Sequence, residues 1–149
     1  MKNCIYCTLA LPEIQARKVA ENDLAVAFPT NIPITPGHML VIPKRCVARY
    51  EDLTVEEKKA IEELRMKITD ALKKVFGAEG FNFAWNDGKI AGQSIPHFHL
   101  HIIQRKQGDV GILEYDPRRF IYRPGERETS PEEELIAVSE LIKKAVTHL

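Results

Sequence analysis

Residues 97–103, HFHLHII, alternate histidine with apolar residues, and this alternation restricts the fold more than any other segment. Successive side chains of a β-strand point to opposite faces of a sheet. As a strand, the segment has an apolar face made of Phe98, Leu100 and Ile102. Its other face carries three imidazoles, those of His97, His99 and His101. We therefore expect a strand that packs on the hydrophobic core and carries a line of imidazoles on its opposite face.

Three imidazoles in register favour chemistry over packing, because titratable rings on one face repel one another when charged. One interpretation of this face is a metal site with three histidine ligands. The preceding loop supplies another, since it is uncharged and rich in hydrogen-bond donors, among them Asn86, Gly92, Gln93 and Ser94. Such a loop is either a plain turn or, beside three histidines, a pocket for an anion with a nucleophile at its floor.

The chain contains three cysteines, an odd number that does not suit a disulfide framework. Cys4 and Cys7 form a C-x-x-C pair, and Cys46 follows the Pro-Lys-Arg of VIPKRC. Three interpretations stay open: a zinc site completed by a histidine, a redox pair, or three unconnected buried thiols. A thioredoxin-type redox pair lies between a strand and a helix, whereas this pair precedes any such pattern.

The remaining sequence predicts an α+β fold with mostly antiparallel strands. The triad strand itself is expected at 98–103, and further strands are expected at 23–28, 38–43 and 81–85, where short apolar segments are bounded by Pro, Gly or Asn. A central helix is expected at 54–76, where apolar residues repeat at helical spacing. Thr54 and Glu57 predict a capping box at its start. A second helix at about 130–148 is expected to open with Ser130 as its N-cap.

Length and charge exclude several classes of protein. A chain of 149 residues fits one domain, so we expect a single domain over 1–149 with a core at about 4–110 and a C-terminal extension. Lys plus Arg and Asp plus Glu number 21 each, and this balance argues against electrostatic binding of nucleic acid. No apolar run approaches the roughly 18 residues of a membrane span. The first residues lack the apolar segment of a signal peptide, and we expect a cytoplasmic protein.

The segments PGHMLVIPK (36–44), NDGKIAGQS (86–94) and HFHLHII (97–103) together resemble the histidine triad (HIT) family of nucleotide hydrolases and transferases. The resemblance extends from about residue 4 to residue 110. The following RKQGDV is most similar to the fragile-histidine-triad branch, which hydrolyses diadenosine polyphosphates. The resemblance implies the HIT fold, a five-stranded antiparallel sheet per subunit with a central helix and, here, an additional C-terminal helix. It also implies a homodimer.

The resemblance assigns roles to individual residues. His99 would attack the α-phosphorus of a nucleotide and form a nucleotidyl-histidine intermediate, from which water releases nucleoside monophosphate. His101 would contact the α-phosphate, and His38 would support the triad from the adjacent strand. Gln93 and Ser94 would contact the phosphates and the leaving group. The other substrate-binding positions are Gly92, Asn86 at the pocket rim, and Asn31.

In zinc-bearing members the ligands are the C-x-x-C pair, a residue after the P-K-x strand end, and the first triad histidine. The corresponding residues here are Cys4, Cys7, Cys46 and His97. The third ligand is commonly a histidine, so Cys46 is a departure, although a thiolate binds zinc equally well. The resemblance thus implies a structural Cys3His zinc site without a catalytic role.

The chain departs from the family pattern in three further places. Thr30 stands where members usually carry an Asp or Asn for the ribose hydroxyls, and Asn31 beside it replaces that residue if the loop shifts by one position. Gln104 replaces the usual proline after the triad strand. The tail from 112 matches no catalytic motif. Its polar side chains are expected to form a solvated charged segment, and the alternative is contact with a polyphosphate or base: Tyr115, Arg118, Arg119 and Tyr122.

The leading functional hypothesis is a nucleotidyl hydrolase that acts on dinucleoside polyphosphates or related nucleotide conjugates. A phosphorolytic nucleotidyltransferase uses the same covalent step with phosphate as acceptor, and a nucleoside phosphoramidase uses it with an amine as leaving group. A third hypothesis is a nucleotide-binding module without catalysis. The full triad together with Ser94 favours an enzyme.

Overall fold

The computed structural model describes residues 4–7, 12–109 and 129–148, which contain one antiparallel sheet of five strands. The strands are β1 (Ala20–Glu21), β2 (Ala25–Pro29), β3 (Met39–Pro43), β4 (Gly80–Ala84) and β5 (Leu100–Arg105). Their order across the sheet is β1-β2-β3-β5-β4. The helices are α1 (Pro12–Arg17), α2 (Val55–Phe76) and α3 (Glu132–Thr147). The predicted α+β class, five-stranded sheet, central helix and C-terminal helix are confirmed.

Alternate residues of the central strand β3 divide the hydrophobic core into two clusters. Met39 and Val41 belong to the cluster that includes α2, whose Leu64 and Ile68 are fully buried. The neighbouring β3 residues belong to the second cluster, whose members include Leu40, Ile42, Cys4, Tyr6 and Phe28. The N-terminal segment therefore packs on the sheet face opposite α2.

The start of α2 has the predicted capping box. The backbone N–H of Glu57 donates to the Thr54 hydroxyl at 3.1 Å, and the Thr54 N–H donates to the Glu57 carboxylate at 2.9 Å. Arg45, in the loop after β3, donates to both oxygens of the same carboxylate at 2.7 and 2.8 Å. The helix start is therefore tied to the end of the central strand.

The triad strand begins later than predicted, at Leu100 rather than Phe98. The backbone just before Leu100 is hydrogen-bonded to a loop and not to β3, since the N–H of Phe98 donates to the Val47 carbonyl at 2.7 Å. Val41 pairs with Leu100, and the carbonyl of Pro43 accepts from the His97 ring at 2.8 Å. The predicted burial of Phe98, Leu100 and Ile102 in the core is nevertheless confirmed.

Helix α3 begins at Glu132, with Pro131 in the N-cap position and no side-chain cap. Ser130 was predicted as the cap, but Pro131 has extended backbone angles, and the Ser130 N–H donates to the Asn31 carbonyl at 2.9 Å. The tail side chains Tyr115, Arg118, Arg119 and Tyr122 lie outside the described residues. Among the residues that are described, no helix has both the length and the apolar character to cross a membrane.

Candidate functional site

A cavity of about 370 Å³ brings together most of the predicted substrate-binding residues. The loop between β4 and β5 contributes Asn86, Gly92 and Ser94, and Asn31 contributes from the segment after β2. His99 and His101 also line the cavity. Hydroxyl, amide and imidazole groups can all donate hydrogen bonds to phosphate oxygens. The lining therefore has the chemistry of an anion pocket rather than of a plain turn.

A hydrogen bond to the main chain fixes the tautomer of His99. Its Nδ1 lies 2.8 Å from the carbonyl oxygen of His97. Because a carbonyl only accepts, Nδ1 carries the proton and Nε2 keeps its lone pair in the neutral ring. Burial lowers the pKa of His99 below its ordinary 6.5, and the bond to the His97 carbonyl acts in the opposite direction. The ring is therefore neutral at pH 7, with Nε2 available as a nucleophile.

A second chain of hydrogen bonds orients His101. The backbone N–H of Ile34 donates to His38 Nδ1 at 3.1 Å, so the proton of the neutral His38 ring is on Nε2. This Nε2 lies 2.9 Å from His101 Nδ1 and donates to it. The remaining proton of His101 is then on its own Nε2. His38, the residue before β3, thus contacts the triad through His101 and leaves His101 Nε2 as a hydrogen-bond donor.

The side chain of Gln93, a predicted phosphate contact, makes three hydrogen bonds within the protein. Its carboxamide oxygen accepts from the Gly88 N–H at 2.8 Å, and its nitrogen donates to the carbonyls of Ala48 at 2.8 Å and His97 at 3.5 Å. These bonds hold the loop that presents Ser94 beside the triad. The contact between Gln93 and phosphate stays a prediction.

The four predicted metal ligands lie close together, at the triad histidine that comes first in the sequence. One ligand atom from each of Cys4, Cys7, Cys46 and His97 lies within 4.8 Å of the others. His97 Nδ1 is 3.4 Å from Cys7 Sγ and 3.6 Å from Cys4 Sγ. Two ligands around tetrahedral zinc, with bonds of about 2.3 Å to sulfur and about 2.0 Å to nitrogen, would be about 3.5 Å apart. The donor set and the distances from His97 to the Cys4 and Cys7 sulfur atoms fit zinc.

A hydrogen bond at Nε2 of His97 leaves its Nδ1 suited to bind a metal. His97 Nε2 donates to the Pro43 carbonyl at 2.8 Å, which leaves Nδ1 unprotonated and directed at the sulfur atoms. Burial lowers the pKa of His97 and so favours the neutral ring that a metal requires. His97 also has its carbonyl bonded to His99, so one residue joins the metal cluster to the nucleophile.

Two of the four ligands are bonded to each other in this structure. A disulfide joins Cys7 to Cys46, whereas Cys4 is a free and buried thiol. A metal requires thiolate ligands, so zinc binding requires the reduced form of this pair.

The ribose position departs from the family pattern. Thr30 is buried, and its hydroxyl accepts from the Ile32 N–H at 3.3 Å. The hydroxyl proton remains available as a donor. Both Thr30 and Asn31 line the cavity, so the two candidates for ribose contact lie side by side.

Sequence reasoning gave no role to Tyr6 or Arg17, although both line the cavity. Arg17 is 8% exposed, and it donates to the carbonyl of Glu13 at 3.0 Å and pairs with Glu132 of α3 at 3.4 Å. Helix α1 has six residues and is too short for a periodic pattern. The one sequence signal that could have placed Tyr6 near the site is its position between Cys4 and Cys7.

A model of the HIT domain matches residues 11–108. The chain belongs to the HIT domain family. The family expected from the triad motif is thereby confirmed, and the cavity lies within the matched segment and its N-terminal flank.

Named relatives of this HIT domain include three enzymes. Bis(5'-adenosyl)-triphosphatase of Dictyostelium discoideum is 38% identical over 109 residues, 73% of this chain and 70% of that protein. Bis(5'-nucleosyl)-tetraphosphatase [asymmetrical] of Schizosaccharomyces pombe is 45% identical over 86 residues, 58% of this chain and 47% of that protein. Adenosine 5'-monophosphoramidase hnt1 of the same yeast is 36% identical over 110 residues, 74% and 80% of the two chains. The first two agree with the fragile-histidine-triad branch.

Solved structures resemble this HIT domain along nearly its full length. A Hit-like protein from Bartonella henselae has a TM-score of 0.78 and 30% identity, and covers 97% of this chain and 98% of its own. A zinc-bound histidine triad family protein from Mycobacterium smegmatis has a TM-score of 0.74 and 27% identity, with 99% and 95% covered.

Proposed function

We propose that this chain is a nucleotidyl hydrolase that cleaves dinucleoside polyphosphates or related nucleotide conjugates at the α-phosphate and releases nucleoside monophosphate. The observation that carries the proposal is the hydrogen bond from His99 Nδ1 to the His97 carbonyl. It leaves His99 Nε2 as a nucleophile in a cavity lined by donors for phosphate. The names of two relatives, a triphosphatase and a tetraphosphatase, support the substrate class.

In the first step His99 Nε2 attacks the α-phosphorus, and the bond from that phosphorus to the bridging oxygen breaks. His101 Nε2–H and the Ser94 hydroxyl donate to the phosphate and leaving-group oxygens, where negative charge develops. In the second step a water oxygen attacks the same phosphorus, and the proton that this water loses passes to the solvent. The phosphorus–nitrogen bond then returns its electron pair to His99. The covalent intermediate divides one difficult displacement into two easier ones.

Zinc, when bound, would supply structural stability and no reactive position. Cys4, Cys7, Cys46 and His97 would hold it in the reduced chain. Structural zinc in small peptides contributes on the order of 10 kcal/mol of folding free energy. A site built from thiolates suits the reducing cytoplasm, which is the location we propose.

The test of the proposed function is product analysis after incubation with diadenosine triphosphate or diadenosine tetraphosphate. We expect AMP to be released, and His99→Ala to lower kcat by at least about 1000-fold because it removes the nucleophile. His148→Ala is the matched control, since this exposed histidine lies at the end of α3. Substantial AMP release by His99→Ala would refute the covalent mechanism.

A nucleoside phosphoramidase is the second candidate, and the similarity to adenosine 5'-monophosphoramidase hnt1 favours it. It would use the same attack by His99, with His101 Nε2–H donating to the leaving amine. The ratio of kcat/KM for adenosine phosphoramidate and diadenosine triphosphate distinguishes the two. Release of nucleoside diphosphate only in the presence of phosphate would identify a phosphorolytic transferase instead. Tight nucleotide binding without turnover would identify a binding module.

A further inference from the structure

Four aromatic rings form a continuous row that connects the metal cluster to His38. The Tyr6 ring lies edge-on to His99, with centroids 5.7 Å apart and an interplanar angle of 76°. The His99 ring lies edge-on to His101 at 5.1 Å, and His101 is 5.1 Å from His38. The proposed nucleophile therefore lies between a histidine on one side and a tyrosine on the other.

Tyr6 is held in place by the turn that carries two of the metal ligands. It lies between Cys4 and Cys7, and the Cys7 N–H donates to the Cys4 carbonyl at 3.1 Å. Its ring is 9% exposed and makes two further edge contacts, with Phe28 at 5.7 Å and His97 at 6.0 Å. Movement of this turn would therefore move the ring that contacts His99.

The hydrogen bond from His99 Nδ1 to the His97 carbonyl fixes one point of the imidazole and its tautomer. A single bond leaves the ring able to tilt about that point. Edge-to-face contacts with Tyr6 and with His101 restrict this tilt and keep Nε2 on one line of attack. In-line displacement at phosphorus depends on that direction.

We propose that Tyr6 is a positioning residue, whose ring holds the His99 imidazole against His101 and links its orientation to the metal-binding turn. This inference rests on the proposed function of His99. The contacts described above are made by the ring of Tyr6 and not by its hydroxyl. A phenylalanine therefore preserves the positioning, whereas a branched aliphatic side chain does not.

The kinetic test compares Tyr6→Phe with Tyr6→Leu in the zinc-loaded, reduced protein. We expect kcat of Tyr6→Phe to stay within about twofold, and kcat of Tyr6→Leu to fall by at least about 10-fold with a smaller change in KM, since misplacing a reacting group by about 1 Å costs on the order of 100-fold. Tyr50→Leu is the matched control, because Tyr50 stacks on Trp85 at 4.9 Å and does not line the cavity. A raised KM with unchanged kcat in Tyr6→Leu would make Tyr6 a substrate contact and overturn the proposal.

A second measurement does not depend on turnover. The ring resonances of His99 are compared by nuclear magnetic resonance in the wild type, Tyr6→Leu and Tyr50→Leu. We expect one sharp set in the wild type and in Tyr50→Leu, and broadened resonances in Tyr6→Leu with zinc content unchanged. Sharp resonances in Tyr6→Leu, or loss of its zinc, would overturn the positioning role. Absence of turnover in every protein would refute the proposed function and leave this measurement to decide on Tyr6.

Discussion

His38 acts on the site through another ring. Its Nε2–H donates to His101 Nδ1 at 2.9 Å, and the Ile34 N–H at its Nδ1 fixes the direction of that bond. A His101 ring without this donor can place its proton on Nδ1, which turns an acceptor toward the substrate. Loss of the His101 Nε2–H donor would weaken the stabilisation of the negative charge that develops on the leaving group.

His38→Leu is therefore expected to lower kcat by about 10- to 100-fold, the equivalent of a hydrogen bond worth about 1.5–3 kcal/mol. His38→Gln keeps a side-chain N–H at a similar distance from the backbone, and we expect partial recovery. Steady-state kinetics with diadenosine triphosphate checks both variants at matched folded fractions. Equal activity of His38→Leu and wild type would contradict this role.

The tautomers of the histidines could not be predicted from the sequence, although the histidines themselves could. The alternation of 97–103 indicates three imidazoles on one face. The proton on each ring is set by partners distant along the chain or in the main chain, namely Pro43 for His97 and Ile34 for His38. Residue identity carries no information on these main-chain groups.

Among the elements, helix α2 shows what local sequence determines. Its capping box lies at the predicted residues because Thr54 and Glu57 bond within one turn. The start of β5 depends instead on partners distant along the chain, because its pairing with β3 ends at Val41 and Leu100 and the Phe98 N–H donates to Val47. The prediction for this strand was two residues early. The metal cluster depends even more on the fold, because its ligands come from three separate segments and only the family resemblance brought them together.

Glu57→Gln is expected to destabilise the fold by about 1–2 kcal/mol, because it weakens both the cap and the pair with Arg45. The hydrogen bond from Arg45 holds the pKa of Glu57 below its ordinary 4.5. This stabilisation is present above pH 4.5 and is lost as the pH falls through the lowered value. Urea denaturation between pH 3 and 7 measures it. The difference in the free energy of unfolding between wild type and Glu57→Gln should narrow at low pH. A difference that stays constant with pH would show that protonation of Glu57 is not linked to stability.

For the whole molecule, the surface around β4 favours the homodimer that the resemblance implies. Among the described strands, β4 pairs only with β5 and is the last in the sheet order. Edge strands usually carry charge or proline, whereas GFNFA carries neither. Two large side chains on it or directly after it are exposed: Phe83 at 43% and Trp85 at 42%. We propose that a second copy covers this surface.

Light scattering coupled to gel filtration checks the assembly. Phe83→Lys places a charge on the edge strand and is expected to shift a dimer toward monomer. Leu141→Lys, on the exposed side of α3, is the control and should leave the mass unchanged. A wild-type monomer across the micromolar range would refute the dimer.

Metal content depends on the oxidation state of the whole chain. We expect one zinc ion per reduced chain and none per chain that contains the Cys7–Cys46 disulfide. Cys46→His retains four zinc ligands and cannot form this disulfide, so it should keep its metal after mild oxidation. Elemental analysis before and after oxidation tests this. Removal of zinc by a chelator from the reduced wild type should also lower Tm, because ligand binding to the folded state stabilises it.

The bond that sets the proton on His99 is made by a peptide carbonyl, and every amino acid at position 97 supplies one. Mutations can therefore replace the side chain at position 97 and the three cysteines. The backbone carbonyl oxygen of residue 97, which selects the nucleophilic nitrogen of His99, is retained in every such variant. Descendants of such a chain can lose the metal in small steps, provided that other contacts come to support the turn. The chemistry and the metal cluster are thus free to evolve at different rates, although a single residue belongs to both.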